Sequence, residues 1–131
     1  MKLGTINELG KSRVIVKVDD EFACKLNDLE KAIGHKLSNN LIEFIRSAKN
    51  KELFSKLQKN INNVRKIYIK DLDWLPPIIN PSKILGVAFN NKELMKKAHK
   101  DPGVPNFFLK PPSALVGHNK PIIVDPEWGA V

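Results

Sequence analysis

The sequence predicts an α+β fold in which a small N-terminal β-hairpin layer with helices is followed by further strands. Three observations support this prediction. Apolar and polar residues alternate near the N-terminus, apolar residues at helical spacing follow, and an apolar run near residue 85 is again typical of a strand. With 131 residues, 42% of them hydrophobic, the chain can form one domain with a core, or one domain and part of another.

The N-terminal hairpin is predicted from alternation of period two. Residues 1–6 form the first predicted strand, and residues 13–18 form the second, with valines on one face. After a turn at Asp19 and Asp20 the same alternation continues through Phe22, Cys24 and Leu26. We therefore expect a hairpin with one buried face, on which Cys24 is a small core residue and not a nucleophile.

Three helices are predicted between residues 27 and 64. Two of them begin with the asparagine–glutamate spacing of a capping box, Asn27 with Glu30 and Asn40 with Glu43, and Gly34 ends the first. Apolar residues at helical spacing predict the buried stripes. The predicted stripes are Leu29, Ala32 and Ile33 in the first helix, Leu41, Phe44, Ile45 and Ala48 in the second, and Leu53, Leu57, Ile61 and Val64 in the third.

Prolines separate this region from the rest of the chain. A short strand predicted at residues 66–71 leads to Pro76, Pro77 and Pro81, which fix φ and exclude a helix, so the chain continues in an extended conformation. The apolar run at residues 84–89 then predicts a strand buried on both faces. Periodicity alone leaves a buried helical turn as the alternative.

A short helix and a last strand are predicted after this run. Asn90 with Glu93 has the spacing of a helix start, and residues 107–109 resume as a strand. That strand places Lys110 at a stiff corner made by the two prolines that follow it. Judged by the residues alone, Lys110 is a solvated loop lysine.

The segment from Pro81 to about Pro126 resembles the fumarylacetoacetate hydrolase family. The resemblance rests on P-x-K-I-x-G-V-x-x-N at residues 81–90 and on F-F-L-K-P-P-S-A-L-V-G at residues 107–117. The family includes acylpyruvate hydrolases, 2-oxo-acid hydratases, and related decarboxylases and sugar-acid dehydratases. The resemblance implies an N-terminal α+β domain at residues 1–75. It also implies that residues 76–131 are the incomplete start of a catalytic domain with the family's mixed β fold.

The resemblance also implies a divalent cation. Members of the family hold Mg²⁺ or Mn²⁺ with carboxylates, and a 2-oxo acid substrate chelates that cation. The family's carboxylates follow a Pro-Glu-x-Glu-like segment, and the sequence ends just before one, so we assign no metal ligand, not even Asp125 or Glu127. We expect the chain alone to bind no cation and to be inactive. Its expected partners are the 2-oxo acid and a metal-bearing C-terminal segment or subunit, and homo-oligomer formation is left open.

Four residues form the candidate site that the resemblance implies. Lys110 is the catalytic candidate, because its ammonium group can stabilise the enolate oxygen that forms during the reaction. Ser113, His118 and Asn90 are the candidates for substrate binding.

One departure from the family affects the reaction type. Hydrolytic members have a sequence similar to N-Y-x-x-H-x-x-E after this strand, and its histidine and glutamate together activate water. In this chain Leu94 stands at the position of the histidine and Lys97 at the position of the glutamate. The departure favours a hydratase or dehydratase acting on a 2-keto-4-pentenoate, a 2-oxohepta-3-ene-1,7-dioate or a 2-keto-3-deoxy sugar acid. Acylpyruvate- or fumarylacetoacetate-type C–C hydrolysis is the alternative. His99 could replace the missing histidine only if the helix were shifted.

Two other classes of function stay open. The chain can be a non-catalytic interaction module, such as a split-gene subunit that pairs with a metal-bearing partner. Its net charge of +8 and pI of about 9.6 also suggest nucleic acid. We favour a solvated helix face over nucleic-acid binding, because the basic stretch between residues 46 and 70 has only Phe54 and Tyr68 as aromatics and no binding signature.

The expected location is the cytoplasm, without membrane attachment. The sequence shows neither a signal-peptide core nor an apolar run of membrane length. Its single cysteine also excludes an internal disulfide.

Overall fold

The computed structural model describes residues 1–47, 51–98, 103–125, 127 and 129. These residues form helices and antiparallel sheets, which confirms the predicted α+β class. The chain divides into two compact units, one of Met1–Ile78 with Val116–Val131, and one of Ile79–Leu115. The predicted boundary near Leu75 lies three residues before this division, and the residues from Val116 onward lie with the first unit.

The first unit contains a five-stranded antiparallel sheet with the strand order β4-β3-β2-β1-β5. Its strands are β1 (Leu3–Glu8), β2 (Lys11–Lys17), β3 (Phe22–Lys25), β4 (Lys66–Tyr68) and β5 (Trp74–Leu75). A two-residue turn joins β1 to β2, and both of its residues have positive φ, 51° at Leu9 and 77° at Gly10. This geometry matches the twist of a hairpin. Consequently β1 extends two residues beyond its predicted end.

The sheet is buried on both faces, so the prediction of one buried face is wrong. Val14, Val16 and Cys24 are fully buried on the face that packs against the helices. Ile15 and Ala23 are buried on the opposite face. Ile67 of β4 lies on that second face beside Ala23, and the chain that follows β4 packs on it through three partly buried residues, Ile69, Leu72 and Trp74.

Three helices cover the first face. They are α1 (Leu26–Ile33), α2 (Leu41–Ser47) and α3 (Lys51–Asn60). Among the residues that the structure describes, ten are buried in the core between sheet and helices, namely Val14, Val16, Cys24, Leu26, Leu29, Leu37, Leu41, Phe44, Leu53 and Leu57. Among the described residues the largest of these that is fully buried is Phe44.

The start of α1 differs from the prediction. This helix begins directly after β3 with Lys25 at its N-cap, so Asn27 lies inside the helix and does not cap it. Leu26, predicted to continue the strand, is the first residue of this helix and is buried, whereas Ala32 of the predicted stripe is exposed. The predicted end is confirmed, because Gly34 adopts a left-handed conformation with φ of 63°.

The start of α2 is confirmed as predicted. The Oδ1 atom of Asn40 accepts hydrogen bonds from the backbone N–H groups of Ile42, at 3.0 Å, and Glu43, at 3.2 Å. Ile45, however, is 50% exposed, and Ala48 lies outside the described residues. Two further residues of the predicted stripes, Ile61 and Val64, follow the end of α3 and are only partly buried.

Cys24 is a free, buried thiol, as predicted. Burial raises its pKa to about 11, and the nearby charge of Asp28 adds to this effect. Because only the thiolate is nucleophilic, we expect Ellman's reagent at pH 8 to leave Cys24 unmodified in the folded protein and to modify it rapidly in urea. Equal rates in the two conditions would show that the thiol is accessible.

The second unit is built on a two-stranded antiparallel sheet of β6 (Ile84–Ala88) and β7 (Asn106–Lys110), with helix α4 (Lys92–Ala98) after β6. The prediction that this apolar strand is buried on both faces is wrong, because Leu85 is 57% exposed and Val87 is 42% exposed. None of residues 79–93, 95–97 and 103–115 is buried. Across both units, no helix among the described residues has the length and apolar character needed to cross a membrane.

Candidate functional site

Lys110 is the last residue of β7, as the sequence predicted. It pairs with Ile84 across the sheet, and Phe108 on the same strand pairs with Gly86. The Lys110 Nζ atom lies 6.0 Å from the centre of the Phe108 ring. This ring lies so close to Gly86 that a Cβ atom there would overlap it. The glycine therefore accommodates the ring beneath the lysine, and the ammonium group has a weak cation–π contact that orients it.

The chain turns directly after Lys110. Pro111 has an extended backbone, and Pro112–Ala114 form one turn of 3₁₀ helix. Two backbone hydrogen bonds of 3.0 Å close this turn, from Ala114 N–H to Pro111 O and from Leu115 N–H to Pro112 O. Ser113 lies in the middle of the turn and is exposed. The proline corner thus presents a lysine and a serine, three residues apart, to solvent.

Asn90 lies at the opposite end of the β6–β7 sheet from Lys110. It follows the end of β6, where Ala88 pairs with Asn106. The ladder between the two ends has five residue pairs, a length of about 13 Å at the usual rise per residue. Asn90 lines an open cleft of about 460 Å³ with Met95, Val104 and Pro105 among its other residues.

The predicted role of Asn90 at the start of α4 is wrong. The backbone N–H of Glu93 donates a 2.8 Å hydrogen bond to Oδ1 of Asn91, so the next asparagine stabilises the start of the helix. The reason is that the chain turns at Phe89, whose φ is 53°, and the helix then begins only at Lys92.

His118 belongs to the first unit. Its ring meets the indole of Trp74 edge-on, with the ring centres 6.4 Å apart and the planes at 86°. Both rings line an open cleft of about 360 Å³, together with Ile69, Lys70, Leu72, Asp73, Asn119 and Lys120. Asn90, Lys110 and Ser113 therefore belong to the second unit, and His118 does not.

A polar cluster that the sequence did not predict surrounds Asp73. One carboxylate oxygen of Asp73 pairs with the Lys120 ammonium, and the other accepts a 2.9 Å hydrogen bond from Asn7 Nδ2. The hydrogen bond from Lys120, and then that from Asn7, lower the pKa of Asp73 below its usual value. Three segments distant in sequence meet here, so no local motif could have predicted the cluster.

A second polar cluster lies at the end of the first hairpin. Glu8 pairs with the Lys25 ammonium, and its other oxygen lies 3.5 Å from Arg13 Nε. The hydrogen bond from Lys25 is the main cause that lowers the pKa of Glu8. Glu8 and Lys25 line an open cleft of about 430 Å³ that also involves Arg65 and Asp71. Positive and negative charges are balanced around it, so it indicates no particular class of ligand.

The described residues do not form a metal site. No group of three or more histidine, cysteine, aspartate or glutamate side chains among them is placed to hold a metal ion. Asp125, which was not assigned as a ligand, accepts a 3.0 Å hydrogen bond from the backbone N–H of Glu127 and is exposed. His99 lies outside the described residues.

No protein-family model matches the sequence, and no curated protein matches it at a significant level. The resemblance stated for residues 81–117 therefore has no independent support from these comparisons, and what it implies about function is carried forward as a proposal.

Proposed function

We propose that this chain contributes the proline corner of a divalent-metal-dependent enzyme acting on 2-oxo acids, as a hydratase or dehydratase. The single observation that carries the proposal is the corner itself. Lys110 ends a strand with its ammonium group over the Phe108 ring, and Ser113 follows in a hydrogen-bonded turn. A cation and a hydroxyl on a rigid corner can receive the two oxygens of a 2-oxo acid.

The two side chains would have different roles. The Lys110 ammonium would donate a hydrogen bond to the oxo oxygen and stabilise the negative charge that develops there as the enolate forms. The Ser113 hydroxyl would donate to the substrate carboxylate and orient it. His118 and Asn90 stay in the proposal as candidates for substrate binding. Neither belongs to the corner, since His118 lies in the first unit and Asn90 at the far end of the sheet.

The cation is assigned to the complete enzyme only. The described part of the chain lacks a group of acidic and imidazole side chains that fits Mg²⁺ or Mn²⁺. The roles proposed for Lys110 and Ser113 therefore do not require this chain to hold the cation. The carboxylates would come from a C-terminal segment or a partner subunit. The buried free thiol of Cys24 fits a reducing compartment and supports a cytoplasmic location.

A specific observation also favours the non-catalytic alternative. None of residues 79–93, 95–97 and 103–115 is buried, and five large apolar side chains of β6 and β7 are exposed. A two-stranded sheet without a core is marginally stable by itself. A role as an interaction module, such as a split-gene subunit, would require the second unit to bind other protein and would require no chemistry at Lys110.

The test of the enzymatic proposal is the replacement of Lys110 by methionine. The protein would be purified through a tag on this chain together with its natural partners, and hydration of 2-oxo-4-enoates and dehydration of sugar acids would be followed with Mg²⁺ present. We expect kcat/KM to fall about 10²- to 10³-fold in K110M, because one donor to the developing oxyanion is lost. The matched control K83M removes another exposed lysine of the same sheet end and should leave kcat/KM unchanged.

Three outcomes would contradict the proposal or part of it. Equal activity of K110M and the unaltered protein would exclude a role of Lys110 in the reaction. Turnover by the isolated chain that EDTA abolishes would show that the cation is held by this chain alone. Absence of activity on 2-oxo acids, in a preparation whose partners have been identified, would favour the interaction module.

A further inference from the structure

The two faces of the β6–β7 sheet differ in chemical character. Directly paired residues of an antiparallel ladder point to the same side. Leu85 pairs with Leu109 and Val87 pairs with Phe107, so these four side chains form one side, here called the apolar face. The other side contains Phe108 stacked over Gly86, with Lys110 above the ring, and is here called the lysine face.

The apolar face is largely solvent-exposed. Its residues are exposed by 57% at Leu85, 42% at Val87, 62% at Phe107 and 69% at Leu109. Four adjacent large apolar side chains on one face are the mark of a surface that binds protein. In addition, β7 has a ladder partner on one side only among the described residues, so its other edge has backbone groups available for another strand.

The charge of the second unit limits what can bind there. Its described residues contain one acidic side chain, Glu93, and five lysines, which are Lys83, Lys92, Lys96, Lys97 and Lys110. A second copy of the chain would bring two such sets of lysines together, at an electrostatic cost. A partner rich in carboxylates would be attracted instead.

We propose that the free edge of β7 binds a β-strand, from other protein, in which apolar residues alternate with aspartate or glutamate. Added to β7, such a strand extends the apolar face with its apolar residues, beside Phe107 and Leu109. Its carboxylates then lie on the lysine face, next to Lys110 at the spacing of cross-strand neighbours. This inference rests on the exposure, pairing and charge of the sheet and does not depend on the enzymatic proposal.

The test uses a labelled ten-residue peptide of alternating valine and glutamate, with alternating valine and lysine as its matched control. Binding to the full chain would be measured by fluorescence anisotropy and by amide NMR shifts. We expect the glutamate peptide to bind more tightly, with shifts centred on Asn106–Lys110 and with weakening as sodium chloride is raised. The variant K110E should lower the affinity for the glutamate peptide about two- to fivefold and raise the affinity for the lysine peptide.

A second variant tests the apolar face. Replacing both Phe107 and Leu109 by serine should lower the affinity for the glutamate peptide at least about tenfold, since the apolar contacts of both side chains with the peptide are lost. Both residues are exposed, so we expect the sheet to stay folded. Unchanged amide NMR shifts of Ile84–Ala88 on the paired strand would confirm this. Replacement of Ile122, which is 78% exposed in the first unit, by serine should leave binding unchanged.

Several results would overturn the inference. Equal affinity for the two peptides would show that the edge does not select a partner by charge. If neither peptide bound, the edge of β7 would not be a docking site for a strand. Self-association of the chain through the apolar face, seen by sedimentation and abolished in the Phe107/Leu109 serine variant, would make a second copy the occupant. None of these results bears on K110M activity, so the failures of the two proposals can be distinguished.

Discussion

Replacing Phe44 by alanine is expected to lower the free energy of unfolding of the first unit by about 3–5 kcal/mol. The ring is 0% exposed and lies on α2 within the core cluster between the sheet and the helices. Removing it deletes buried apolar contacts and leaves a cavity that the surrounding leucines can only partly fill. The measurement is urea unfolding followed by far-UV circular dichroism. A loss of this size is a large fraction of the roughly 5–15 kcal/mol by which a domain is stable.

The control for Phe44 is its neighbour on the same helix. Ile45 is 50% exposed, so its replacement by alanine should change the free energy of unfolding by less than about 1 kcal/mol. The contrast tests the orientation of α2 about its axis, because the sequence pattern predicted both residues to be buried. Equal destabilisation by the two variants would show that both residues are buried, as the sequence pattern predicted, and would contradict the orientation of α2 in the structure.

Replacing Gly117 by alanine is expected to release the segment that begins at Val116 from the first unit. A Cβ atom at Gly117 would lie 2.7 Å from the carbonyl carbon of Trp74 and closer still to its oxygen. Backbone at Trp74 cannot move away easily, because Trp74 pairs with Ile6 in the sheet. We therefore expect the edge-on contact between Trp74 and His118 to be lost and residues 116–125 to become sensitive to limited proteolysis.

The replacement of Lys120 by alanine is the matched control for this prediction. It removes the ion pair to Asp73 but adds no atom near Trp74. Because the pair is partly exposed, we expect only a small increase in the proteolysis rate. If K120A released the segment as fully as G117A, the ion pair would hold it, and the close backbone approach would be unimportant.

The sequence predicted local structure well where a local interaction decides it. Asn40 begins α2 and Gly34 ends α1, because a side-chain acceptor and a residue without a Cβ atom satisfy helix ends wherever the helix lies. It failed at Asn27 and Asn90. At Asn27, α1 follows β3 without a loop, and at Asn90 a turn at Phe89 moves the helix start forward. In both cases the helix start depends on how the chain leaves the preceding strand.

The same reasoning explains which of the four candidate residues lie near one another. Lys110 and Ser113 are three residues apart, so the proline corner that follows β7 keeps them together. Asn90 was grouped with them by motif, but the antiparallel register of β6 and β7 separates it from the corner by the length of the sheet. The cluster of Asn7, Asp73 and Lys120 had no sequence signal, since its members come from three distant segments.

The sequence by itself determined the α+β class, the first hairpin, two helix ends, the buried thiol and the strand that ends at Lys110, because alternation, capping and proline geometry act over a few residues. Only the tertiary structure decided which faces are buried. Ile15 is buried because the chain after β4 packs on it, whereas Leu85 and Val87 are exposed because neither core cluster of the described residues extends over their face of the sheet. Whether a strand is buried depends on the elements that pack against it. An apolar run supplies one side of such a contact and does not specify the other.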